Sequence, residues 1–122
     1  HHPSEIRATL SALKRTYPNM PITAIFQPHT FSRTEALLED FARAFIDAEE
    51  VYILDMYGSA REKDGKVGSK ELTQAIARIR DRVEFVRDRG KLVADIRQKM
   101  TPRVVVCLGA GNGWEVAQKL AE

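Results

Sequence analysis

Two side chains able to grip an anion, His29 and Arg33, lie four residues apart in the stretch 22–35, ITAIFQPHTFSRTE. An imidazole near neutral pH can take a proton or donate a hydrogen bond to a carboxylate or phosphate. A guanidinium presents a planar fork that meets a carboxylate in two parallel bonds. Side by side, the pair suits an anionic group such as a carboxylate or phosphate. Ile22, Ala24, Ile25 and Phe26 read as a strand covered on both faces, and Pro28 stops its ladder. Ser32 and Glu35 have the S-x-x-E spacing of a capping box, which predicts a helix over about 33–47. His29 and Arg33 are then expected at the carboxyl edge of a strand beside a helix N-terminus, where open α/β sheets bind ligands. Without that setting, His29 is a loop histidine, Arg33 a surface arginine and Ser32 only a cap.

Other candidates carry less chemistry. The turn GAGNG at 109–113 follows an apolar strand, so Gly109, Gly111 and Asn112 form either a tight structural turn or an anion and cofactor contact. Its spacing is not G-x-G-x-x-G, and no G-x-x-x-x-G-K-[ST] loop occurs anywhere in the chain. Asp55 ends a strand on the same expected edge and is a further candidate. His1, His2 and Cys107 lack the spacing of a zinc site, and no nucleophile elbow exists for a Ser-His-Asp hydrolase. Arg78, Arg80, Arg82, Arg87 and Arg89 are interleaved with Asp81, Glu84 and Asp88, which marks a solvated mixed-charge face. With a net charge of only +2, neither nucleic acid nor a membrane surface is an expected partner.

The elements that must position these residues follow from periodicity. A helix over 3–17 places Ile6, Leu10, Leu13 and Tyr17 on one stripe, with Pro3 at its first turn. After the strand at 22–27, the second helix turns Leu37, Leu38, Phe41 and Phe45 inward. Strands are expected at 51–55, 83–86 and 103–108. Helices are expected from Ser69 (Leu72, Ile76, Ile79 inward), from Asp88 (Leu92, Ile96, Met100 inward) and after Gly113 (Val116, Ala117, Leu120 inward). The glycine-containing loop 56–68 is long enough to be functional. This alternation defines an α/β, three-layer, Rossmann-like and mostly parallel sheet with helices on both faces. At 122 residues, with 43% hydrophobic and 30% charged, the chain supports a single globular domain over 1–122. The lone Cys107 excludes an internal disulfide and fits a reducing compartment, and neither a membrane-spanning run nor a signal peptide is present.

Four segments point further when taken together: HHP at 1–3, FQPHTFSRT at 26–34, VYILDMYGSAREK at 51–63 and LGAGN at 108–112. They resemble, end to end, the C-terminal domain of the Mur ligase family in its alanine-adding branch. That resemblance implies a cytoplasmic enzyme of peptidoglycan synthesis that uses ATP and Mg2+. Two further domains, one for the uridine nucleotide and one carrying the P-loop, are absent from this chain. It also implies that the carboxylate of UDP-N-acetylmuramate is activated as an acyl phosphate and attacked by L-alanine. The C-terminal domain would position the amino acid and be inactive alone. Carried over by motif, His1 stands at the domain entrance, and His29, Thr30 and Arg33 face the amino acid, with Thr30 where many relatives have arginine. Asn112 stands where aspartate is usual. The alternatives are the murein-peptide recycling ligase, or a stand-alone module binding a nucleotide or phosphosugar at GAGNG.

Overall fold

The computed structural model describes residues 2–28, 31–32, 35–55, 66–67, 69–109 and 112–122, with only the backbone of 31, 32, 35–37, 66 and 67. Helix α1 (Pro3–Thr16) opens on His2, which has an extended backbone and accepts the Ser4 N–H on Nδ1 at 3.2 Å, with Pro3 at the first helical position. Strand β1 (Ile22–Gln27) is buried at all six positions. It leads through the two-residue β2 (Phe31–Ser32) into α2 (Glu35–Ala44). Then come β3 (Glu50–Ile53), β4 (Lys66–Val67), α3 (Ser69–Ala77) and β5 (Val83–Phe85). The chain closes with α4 (Arg89–Arg97), β6 (Val104–Gly109) and α5 (Trp114–Ala121).

The main sheet has the order β5-β3-β1-β6 and every pairing is parallel. Parallel neighbours need crossovers, and helices supply them on both faces. Strand pleating splits β1 between two cores. Ile22, Ala24 and Phe26 join Ile6 and Leu10 of α1, Phe41 of α2, Phe45 just beyond it, and Leu72 and Ile76 of α3. Ile25 faces the other way, with Leu92 and Ile96 of α4 and Val116 of α5. The Phe26 ring sits 5.9 Å from that of Phe41 and 5.5 Å from that of Phe45. At the amino end of the strands, the buried Glu50 carboxylate collects Thr23 Oγ1 (2.7 Å), Arg103 Nη1 (2.9 Å) and Lys99 Nζ (3.3 Å). Burial alone would raise its pKa, but the Thr23 hydrogen bond and the two cations hold it below the ordinary value. Burial and the Glu50 charge push Tyr52 up to about 12.

The fold class agrees with the sequence, while several local expectations give way. The Ser32 backbone pairs with Lys66 in an antiparallel ladder, and α2 is described from Glu35. The capping-box reading turns on residues 33–34, which lie outside the described residues. The same pairing gives loop 56–68 a strand at its end that the sequence reading lacked. Tyr17 (43% exposed), Ile79 (53%) and Met100 (95%) point outward, because each lies past the last helical residue, where the 3.6-residue phase no longer carries a side chain to the core.

Candidate functional site

The carboxyl edge of the sheet is built around Gln27, the last residue of β1. Its side chain is only 1% exposed. Nε2 donates to the Asp55 main-chain oxygen at 3.3 Å and to Asn112 Oδ1 at 3.1 Å. Asn112 Oδ1 also accepts from Arg89 Nη1 at 3.1 Å. Each main-sheet strand therefore sends one group to the same place. Gln27 comes from β1, the Asp55 carbonyl from beyond β3, Arg89 from beyond β5, and Asn112 from beyond β6. The β3 exit is held a second time by Ser69 Oγ, which donates to the Leu54 carbonyl at 2.6 Å. Gln27 Oε1 is buried with no partner among the described residues.

Gln27 also explains the glycines of the 109–113 turn. Gly109 has φ +101°, and a Cβ there would lie 2.2 Å from the Gln27 carbonyl oxygen. A Cβ on Gly113 would come within 3.2 Å of Gln27 Oε1. Strand-to-strand approach thus accounts for Gly109, and the space its missing side chain leaves is filled by Gln27 rather than open to a phosphate. Among the described residues no group of three His, Cys, Asp or Glu side chains could hold a metal ion.

Of the residues singled out in the sequence, Gly109 and Asn112 lie at this edge, as does Asp55, whose side chain is exposed and whose carbonyl serves Gln27. His1, His29, Thr30, Arg33 and Gly111 lie outside the described residues. His2 is a helix cap. Cys107 faces the α4–α5 side among apolar residues, where burial pushes its thiol up. The β2–β4 ladder joins residues 31–32 to residues 66–67 near the end of the 56–68 loop. A concavity of about 730 Å³, lined by Lys14, Met20, Arg82 and Arg103, opens at the opposite edge. It contains none of the candidates. Sequence reasoning missed Gln27 and Arg89. The signal for Gln27 was available: a lone amide closing an otherwise apolar strand, immediately before a proline.

An all-parallel main sheet flanked by helices, with its polar knot at the carboxyl edge, defines a Rossmann-like α/β domain. The chain belongs to the Mur ligase family: residues 1–111 match the family described as Mur ligase, glutamate ligase domain. It is 46% identical to the UDP-N-acetylmuramate–L-alanine ligase of Caldanaerobacter subterraneus, an alignment that covers all of this chain and 26% of that protein. The fold matches the crystal structure of the UDP-N-acetylmuramate–alanine ligase of Thermotoga maritima with a TM-score of 0.74 at 25% identity, over 99% of this chain and 24% of that one. It also matches a murein peptide ligase of Psychrobacter arcticus with a TM-score of 0.70 at 16% identity, covering 99% of this chain and 25% of that one. The chain thus spans about a quarter of each of these proteins. No helix among the described residues is long and apolar enough to cross a membrane.

Proposed function

We propose that residues 1–122 form the amino-acid-acceptor domain of a cytoplasmic, ATP- and Mg2+-dependent ligase that joins L-alanine to UDP-N-acetylmuramate. The observation that carries this reading is the 46% identity, over the whole chain, to a ligase of that name. The uridine-nucleotide and ATPase domains lie outside this chain, so the reaction is not assigned to it alone. Its own part is to hold the amino acid. Arg33 forks onto the alanine carboxylate, while His29, Thr30 and His1 line the approach. The amine is thereby kept in line with the acyl carbon of the activated muramate, which converts a bimolecular encounter into an oriented one. The Mur ligase likeness supports the ligase class, and the motif FQPHTFSRT supports the choice of residues. The murein-peptide ligase reading rests on fold likeness at 16% identity and is the weaker of the two.

The test is Arg33→Ala in the full-length enzyme. Loss of a charge-assisted carboxylate contact, about 1.5–3 kcal/mol, is expected to lower kcat/KM for L-alanine roughly 10- to 100-fold with KM for the uridine substrate unchanged. Unaltered alanine kinetics would remove the assigned role.

A further inference from the structure

We infer that Gln27 is a positioning residue for the acceptor-binding segment, its buried carboxamide clamping together the exits of β1, β3 and β6. The inference rests on the reading above, in which the segment from His29 to Arg33 binds the amino acid. Pro28 has no N–H to continue the ladder, so the main chain stops tying β1 to its neighbours at the point where that segment begins. The Gln27 side chain takes over: one Nε2 reaches the Asp55 carbonyl at 3.3 Å and Asn112 Oδ1 at 3.1 Å.

Packing alone does not ask for an amide there. The position is 1% exposed, where an apolar side chain of similar size would need no hydrogen-bond partners. What the amide supplies, and leucine or methionine cannot, is the pair of Nε2 bonds across the carboxyl edge. Gly113 accommodates it, leaving room for Oε1, while Gly109 admits the Gln27 main chain. Arg89 braces the far side through Asn112 Oδ1 at 3.1 Å. His29 follows Gln27 by two residues, so the clamp fixes the point from which the acceptor segment leaves the sheet.

The experiment is steady-state kinetics of the full-length enzyme carrying Gln27→Leu, Asn112→Ala, Asn112→Asp or Gln27→Leu with Asn112→Ala, beside Arg33→Ala. Gln27→Leu is expected to raise KM for L-alanine about 10-fold, with kcat within threefold and KM for the uridine substrate within twofold of wild type. Asn112→Ala should raise alanine KM by a smaller factor. Asn112→Asp, which keeps the shared acceptor, should give at most a third of that increase. The double variant should fall short of the product of the two single effects, since both substitutions remove the shared Gln27–Asn112 bond. A folded Gln27→Leu enzyme with alanine KM within twofold of wild type overturns the inference. If that variant does not fold, the exposed Asn112→Ala decides in the same way. Should Arg33→Ala also leave alanine KM unmoved, the acceptor reading itself fails; if Arg33→Ala moves it and Gln27→Leu does not, only the clamp fails.

Discussion

Gly109→Ala tests whether the 109–113 turn is built for strand packing. Gly109 is the register partner of Gln27 across β1 and β6, and its φ is +101°. An alanine methyl would lie 2.2 Å from the Gln27 oxygen, 3.0 Å from its carbonyl carbon and 3.1 Å from its nitrogen. All three are backbone atoms of a fully buried strand, so no side chain can swing aside. The strands must part by roughly 1 Å to restore an ordinary carbon–oxygen contact, at the expense of one or two ladder hydrogen bonds of about 1 kcal/mol each. Holding alanine at that φ adds about 1–3 kcal/mol. The sum is a loss of about 2–5 kcal/mol. For a chain of this length the unfolding entropy is on the order of 0.26 kcal/mol per kelvin, so Tm should fall by about 8–20 °C. Urea melts of the 122-residue chain read the same quantity, with the midpoint moving and the slope unchanged. A loss below about 1 kcal/mol would show that the turn has room to spare, and would make Gly109 a candidate ligand contact again.

The Glu50 cluster makes a pH-dependent prediction. Its folded-state carboxyl titrates below the ordinary value of 4.5, so its contribution is complete above that pH and drains as pH falls through the lowered pKa. Wild type should lose stability on that acid limb, and Glu50→Gln should flatten it. The same substitution leaves Arg103, 13% exposed, without its carboxylate, at about 2–4 kcal/mol near pH 7. Equal acid slopes for the two proteins would contradict the assignment. Asp88→Ala removes the cap that accepts the Lys91 N–H at 3.1 Å and should lower stability by about 1 kcal/mol, read as a Tm about 4 °C lower; an unchanged Tm would show that the cap contributes nothing.

The sequence made the fold class legible because its buried strands carry near-continuous apolar runs. VVVCL and ITAIF do not alternate, as strands covered on two faces should not. Pro3 and Asp88 marked helix starts by local chemistry, and local chemistry held there. At Ser32 the sequence missed a non-local feature, the backbone pairing with Lys66, 34 positions along the chain. Glu50 and Gln27 were hidden for a related reason. A polar residue at a strand end reads as the start of a loop, and only tertiary contacts with Arg103, Lys99, Asn112 and Asp55 show that both are buried. The helix ends were set by where the next strand must begin, which put Ile79 and Met100 outside the core despite their phase.

The central claim, that this domain receives L-alanine, is tested most directly by following phosphate release from ATP by the full-length enzyme with UDP-N-acetylmuramate present, while either L-alanine or a murein tripeptide is titrated. The account predicts saturable release that depends on L-alanine and a poor response to the tripeptide. A clear preference for the tripeptide, or release indifferent to either acceptor, would contradict it.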